Sequence, residues 1–322
     1  MALNDLVLSR RRALGLGAAT LSALAIAACD AEAPAPEGDD SSETPEEAQL
    51  DVTAYDDLIA TGSVAAEDDI AASEWASKVK EAGTLRVGGV QTSLLFSLLN
   101  EKDGKTRGFD AGLFQLLARY VLGDENAVEI TQVTSNTRES VLQNDQVDAV
   151  FATYSITDAR KEVISFAGPY YTTQQSILVM ADNEDINGLE DLAGRNVAAQ
   201  SGSTGPSILE EYAPDATVQE FATDEEARSA LEQGRVDAYV IDTAMQMGNM
   251  TRNPGRYRLA GEEFGPVDPY GIGLPLDSDG VEFVNAWLQR IEVEGLWASL
   301  WQVCIGDRAG IESAPEPPAI GA

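Results

Sequence analysis

The strongest constraint on this chain is a unit that it contains twice. Residues 141–151 read VLQNDQVDAVF and residues 230–240 read ALEQGRVDAYV. Each combines a helix end, a polar turn (Asn144-Asp145 and Gln233-Gly234) and a Val-Asp-Ala that opens a strand. Asn144 and Gly234 suit the left-handed cap such a helix end needs. Recurrence at this distance points to two similar α/β lobes rather than one long sheet, and 322 residues leave room for both. The flanking pattern agrees. Thr84 to Val90 alternates as a strand does, and Asp110 to Leu122 carries Leu113, Leu116, Leu117 and Tyr120 at helical spacing. Val128 to Val133 reads as a strand again. Such alternation predicts an α/β fold with mostly parallel sheets.

Composition excludes several chemistries. The chain has 54 acidic against 21 basic residues, a net charge of −33, so its surface repels nucleic acid and anionic lipid headgroups. It has no His, which rules out a Ser-His-Asp or Cys-His nucleophile and removes the commonest metal ligand. Its two cysteines, Cys29 and Cys304, make neither a disulfide framework nor a zinc site. No carboxylates pair at a spot suited to acid–base work. The expectation is a binding protein, not an enzyme, with no cofactor and no metal.

The N-terminus reads as an address. Ser9-Arg10-Arg11-Arg12 begins a basic patch, Ala13 to Ala28 is apolar and small, and Ile26-Ala27-Ala28-Cys29 ends it. A charged region, a short apolar run and a small-residue end describe a signal peptide over residues 1–28. The last four residues resemble the lipobox of bacterial lipoproteins, which implies lipidation of Cys29; the paired arginines also look like a twin-arginine export signal. From Asp30 to Ser77 there is no Lys or Arg, so residues 29–72 are predicted to form an acidic disordered tether. A helix is expected near Ser73 to Ala82.

Candidate ligand groups lie where strands end, the place where open α/β sheets bind ligands. Residues 152–171, ATYSITDARKEVISFAGPYY, place Thr153, Ser155 and Arg160 at a strand-to-helix turn. They are either a carboxylate receptor or capping hydroxyls with a surface arginine. Residues 194–207, GRNVAAQSGSTGPS, bring Ser203 and Thr204 to a small-residue turn before Pro206. Asp242 follows the second repeat strand, as an ammonium partner, a solvated turn residue or a helix N-cap.

Taken together, TLRVG at 84–88, RGFDAGL at 107–113, VTSNTRESVLQ at 133–143, VDAVFATYSITDARKEVISFAGPYY at 147–171, LEDLAGRNVAAQSGST at 189–204, VDAYVID at 236–242 and the closing segment 273–301 resemble the amino-acid solute-binding proteins of bacterial ABC importers. The resemblance spans residues 84–306 and implies a two-lobe, type II periplasmic-binding-protein-like fold, each lobe an open, mostly parallel sheet flanked by helices. It implies residues 73–180 plus 271–308 as lobe 1, residues 181–270 as lobe 2, and hinge crossings near Val179–Asp182 and Asp268–Ile272; beyond it, residues 309–322, with their proline-rich end, read as a loose tail. In its terms Arg160 clamps the ligand α-carboxylate, Thr153 and Ser155 assist, Ser203 and Thr204 add contacts from lobe 2, and Asp242 takes the α-ammonium. Ser135-Asn136-Thr137-Arg138 is similar to a turn of the glutamate/aspartate branch, where Arg138 would read a side-chain carboxylate; a salt bridge to Glu139 is its bland alternative. The segment Val90-Gln91-Thr92-Ser93-Leu94-Leu95-Phe96 departs from the family by lacking a Lys, Arg or Tyr, leaving Gln91, Ser93 or Phe96 to contribute. The implied protein is an extracytoplasmic monomer anchored to the membrane by its lipid, with an amino acid as ligand and an ABC permease as partner. A receptor's sensor subunit and a dehydratase-like enzyme are the rival readings.

Overall fold

A computed structural model describes residues 49–321. The predicted signal peptide, Cys29 and the start of the tether lie outside the described residues. The described chain opens with helices where a tether was expected. Asp51 caps α1 (Val52–Ala60) by accepting the Ala54 N–H at 2.9 Å. Helix α2 (Glu67–Ala71) has three acids in its first turn, where the helix dipole favours them. Ser73 caps α3 (Glu74–Ala82). The tether reading is therefore corrected for residues 49–72. Tyr55, Ile59 and Ile70 are sparse in an acidic segment, yet all three are buried against lobe 1. A few apolar anchors at helical spacing outweigh the like charge that the exposed faces carry into water.

Lobe 1 continues with β1 (Leu85–Gly89), a meander of β2 (Thr92–Ser93), β3 (Ser97–Asn100) and β4 (Lys105–Arg107), then α4 (Phe109–Leu122), β5 (Val128–Gln132), α5 (Arg138–Gln143), β6 (Ala149–Phe151) and α6 (Asp158–Lys161). The long β7 (Ser165–Met180) leaves it for lobe 2. There follow β8 (Asn196–Gln200), α7 (Gly205–Tyr212), β9 (Thr217–Phe221), α8 (Asp224–Glu232), β10 (Ala238–Asp242), α9 (Thr243–Arg252) and β11 (Tyr257–Leu259). The return strand β12 (Phe264–Leu274) runs antiparallel to β7, and α10 (Gly280–Val293), α11 (Leu296–Trp301) and α12 (Asp307–Ala309) close on lobe 1.

The repeated unit explains the topology. Strand β1 lies between β5 and β6, parallel to both, and β8 lies likewise between β9 and β10. The two echo strands, β6 and β10, each border a crossing strand: β6 meets β12 through Gly273 and Val150, and β10 meets β7. One sheet, in the order β5-β1-β6-β12-β7-β10-β8-β9, thus passes through both lobes. The first crossing comes earlier than expected. Strand β7 has its β12 partner opposite Tyr171 and its β10 partner from Gln175 onward, so the chain passes between lobes near Thr172–Gln174 rather than near Val179–Asp182. The second passage is at Asp268–Tyr270 of β12, where Asp268 pairs with Thr173, Pro269 with Thr172 and Tyr270 with Tyr171.

Lobe 1 is held by one large apolar cluster that includes Trp287, Leu288, Ile291, Trp297, Leu300 and Trp301, each at most 3 % exposed. Cys304 is a buried free thiol, and burial pushes its pKa up. Residues 309–321 are not the loose tail expected. Ile311, Ala314 and Ile320 pack on this cluster, and the Gly321 N–H donates to the Gly168 carbonyl at 2.8 Å. Apolar residues spaced along a proline-rich extension dock it without regular structure. No helix among the described residues is long and apolar enough to cross a membrane.

Candidate functional site

Between the lobes lies a cavity of about 150 Å3. Five of the seven predicted ligand residues line it: Arg138, Thr153, Ser155, Ser203 and Asp242. Arg160 and Thr204 stand behind that wall. Each side chain is placed by the end of a strand or the start of a helix, as the α/β rule requires.

Arg138 opens α5 and is buried to 3 % exposure. Its Nη1 donates to the Ala152 carbonyl at 3.1 Å, while its Nε is buried without a partner. The guanidinium lies over the Tyr154 ring, 4.0 Å from the centroid. Burial, followed by the nearby Arg160, lowers its pKa to about 10. Among the described residues no carboxylate forms an ion pair with it, so the bland reading of a bridge to Glu139 does not hold. Glu139 is taken instead by the Tyr154 hydroxyl at 2.6 Å and by Arg160 Nε at 3.6 Å. A buried, unpaired guanidinium facing a cavity costs several kcal/mol until an anion meets it.

Arg160 is differently employed. Its Nη1 donates to the Ser155 carbonyl at 2.8 Å and its Nη2 to the Gly202 carbonyl at 2.9 Å. The second of these bonds crosses from lobe 1 to lobe 2. The expected α-carboxylate clamp is therefore engaged by three protein groups, and of the two arginines predicted as ligand residues it is Arg138 that lines the cavity.

Asp242 sits at the N-cap position of α9 but makes no capping bond. Its carboxylate, 6 % exposed, accepts from the Tyr270 hydroxyl at 2.7 Å and from Gln175 Nε2. Burial, with Asp268 alongside, raises its pKa to about 7. The N-cap alternative is thereby removed, and so is a solvated turn residue, since Asp242 is a buried carboxylate on the cavity wall.

The supporting groups were not singled out from the sequence. Asp268, on β12 at the second crossing, accepts from Thr204 Oγ1 at 3.1 Å. Its Oδ1 is buried and unpartnered. Burial raises its pKa, while Ser155 and Thr204 oppose the rise. Asp110 on α4 accepts the Thr153 N–H and the Tyr170 hydroxyl. Of the divergent segment, Val90, Thr92, Ser93 and Leu94 line the cavity. Gln91 instead donates to Thr106 at 3.0 Å, and Phe96 is buried among Phe109, Tyr171 and Tyr270. Only Ser93 of the three candidates in that segment reaches the site.

The far end of the cavity is made by lobe 2. Asp224, Arg228, Asn249 and Arg252 line it with Thr92 and Ser93 of lobe 1. The lobes touch directly around it. Arg252 Nη2 donates to the Thr92 carbonyl at 2.9 Å, and Asn136 Nδ2 donates to Ser201 Oγ at 3.1 Å. Gly202, at φ +75°, fits against Asn136 where a Cβ would come within 2.4 Å of its Oδ1. Among the described residues no group of His, Cys, Asp and Glu is arranged to hold a metal ion.

Comparisons with known proteins bear on the family and the fold. A family model described as bacterial extracellular solute-binding proteins, family 3, matches residues 85–304. A glutamine-binding protein of Geobacillus stearothermophilus is 40 % identical over 197 residues, covering 61 % of this chain and 74 % of that protein. The glutamate-binding protein GluB of Corynebacterium glutamicum is 32 % identical over 238 residues, covering 70 % of this chain and 80 % of that protein. A solved solute receptor for L-cysteine from Neisseria gonorrhoeae superposes with a TM-score of 0.71 at 22 % identity over 76 % of this chain and 99 % of its own, a likeness of fold.

Proposed function

The chain belongs to the bacterial extracellular solute-binding proteins, family 3, and we propose that its ligand is a free amino acid delivered to an ABC permease. The observation that carries this reading is the pairing of a buried, unpaired Arg138 with a buried Asp242 on the walls of one small cavity. An α-amino acid brings one carboxylate and one ammonium, so it neutralises both at once. Arg138 takes the α-carboxylate, helped by Ser155, Thr153 and Ser203, and Asp242 takes the ammonium. Arg160 and Thr204 act from behind: Arg160 ties Ser155 to Gly202, and Thr204 is held by Asp268. Closure of the lobes about the β7 and β12 crossings buries the ligand.

The relatives named for glutamine and glutamate support a ligand with a polar side chain of that length. Glutamate or aspartate remains the preferred class. With Arg138 spent on the α-carboxylate, that preference needs a second cation in the cavity. The protein works outside the cytoplasm, exported by residues 1–28, held to the membrane by a lipid on Cys29 and acting as a monomer.

Thermal unfolding against a panel of the common amino acids tests the reading. A ligand at about a hundred times its Kd adds about 2.7 kcal/mol of stability and raises Tm. A panel in which no amino acid moves Tm contradicts it.

A further inference from the structure

The two ends of the cavity are chemically different. Arg138 and Asp242 at one end match the two charges of a zwitterion, and neither is then free to read a side chain. The other end is formed by one face of α9, where Met245, Gly248, Asn249 and Arg252 line the cavity at helical spacing. Gly248 keeps this end open, since a Cβ there would meet nothing closer than Leu95 at 3.8 Å.

The charges at this end are unevenly satisfied. Arg228 is held by Asp224 at 2.9 Å, and Asp224 also accepts from Asn249 at 2.9 Å and from the Tyr239 hydroxyl at 3.2 Å. Arg252 has no ion pair among the described residues. Its one hydrogen bond runs to the Thr92 carbonyl, which leaves most of its five-donor fork uncommitted. Burial and the like charge of Arg228 push its pKa below the usual arginine range, against the attraction of Asp224 and Glu225, which line the same end without forming an ion pair with it.

We propose that Arg252 is the specificity-determining residue of the site, reading the carboxylate at the end of an acidic ligand side chain from the α9 wall. The proposal rests on the reading that an amino acid sits with its α-groups on Arg138 and Asp242. Because Arg252 also bonds Thr92 of lobe 1, the same side chain links recognition to closure: a carboxylate bridging the fork stiffens a contact that spans the cleft. A carboxamide offers a neutral oxygen in the same place and ranks second.

Calorimetric titration of the full chain, Arg252→Met and Arg252→Lys with glutamate, aspartate, glutamine and alanine provides the test. The wild type should bind an acidic ligand more tightly than alanine. Arg252→Met should lose about tenfold or more in affinity for that ligand, while alanine changes less than about twofold. Arg252→Lys, which keeps the charge and loses the fork, should recover part of the loss. If Arg252→Met does not fold, the Lys variant carries the test, with a selective loss for the acidic ligand expected. A uniform weakening for every ligand would mean that Arg252 only braces the lobes through Thr92, and the proposal would fail. It would fail equally if no affinity changed, or if the wild type held alanine as tightly as glutamate; the amino-acid reading would survive those outcomes. A wild type that binds none of the four overturns both.

Discussion

The Asp110 carboxylate accepts the backbone N–H of Thr153 at 2.9 Å and thereby holds Thr153 in left-handed backbone at φ 43°. A β-branched residue adopts that conformation only where its surroundings impose it. The second Asp110 oxygen accepts from the Tyr170 hydroxyl at 2.7 Å, so a fully buried acid on α4 shapes the floor of the ligand site.

Burial raises the Asp110 pKa to about 6. The folded protein therefore holds a proton on this group that the unfolded chain has lost above about pH 4. Its stabilising contribution is present below that pH and is lost as pH rises through 6, by about 3 kcal/mol in all. Asp110→Asn keeps the shape and removes the titration. Denaturant unfolding of both proteins from pH 4 to 7 should show Asp110→Asn gaining on the wild type as pH rises; parallel profiles would contradict the assignment.

Asp242, with its pKa raised to about 7 by burial and Asp268, is expected to release its proton when an ammonium arrives. Affinity should fall as pH drops below 7, approaching about tenfold per pH unit. Calorimetry in buffers of different ionisation enthalpy should detect the released proton at about pH 6.5. Binding enthalpies independent of the buffer would remove Asp242 from the ammonium site.

Gly202 meets Asn136 across the cleft with no room for a side chain. Gly202→Ala should prevent full closure and weaken binding by about tenfold, roughly 1.4 kcal/mol, with lobe 2 still folded. The double variant Gly202→Ala with Asn136→Gly should restore part of the loss. X-ray scattering with saturating ligand would show the single variant more open than wild type; an equally compact variant would dismiss the contact as a closure limit.

The helices of residues 51–72 belong to the folded body. Tyr55 is fully buried, and its hydroxyl donates to Gln115 at 2.8 Å. Tyr55→Ala should cost about 3–4 kcal/mol in denaturant unfolding, as large-to-small core changes do. A cost below about 0.5 kcal/mol, typical of a surface position, would return the segment to a tether.

Much of the fold was legible because it rests on local pattern. The alternation after Thr84, the helical spacing of Leu113, Leu116 and Leu117, and the doubled Val-Asp-Ala unit correspond to β1, α4, β6 and β10. The segment before Ser73 was misread because acidity reports on its exposed faces, whereas Tyr55, Ile59 and Ile70 decide its fate. The site was legible as residue types and only partly as roles. Sequence spacing placed Arg160 beside Ser155 but carried no sign that Gly202, forty-two residues on, would take its other nitrogen. Asp110, Gln175 and Asp268 come to the site through long-range strand and helix packing, for which the chain gives no local signal. Arg252, proposed above to read the ligand side chain, was within reach of the sequence, since it lies seven residues after Met245 on the helix whose N-cap position is Asp242.

The most direct test of the amino-acid site is calorimetric titration of the wild type, Arg138→Gln and Asp242→Asn with whichever amino acid raises Tm most. Each change leaves the opposite charge of the ligand buried without a partner, which costs about 3–5 kcal/mol. Both variants should therefore bind at least about a hundredfold more weakly while unfolding at temperatures close to that of the wild type. Wild-type affinity in either folded variant would contradict the account.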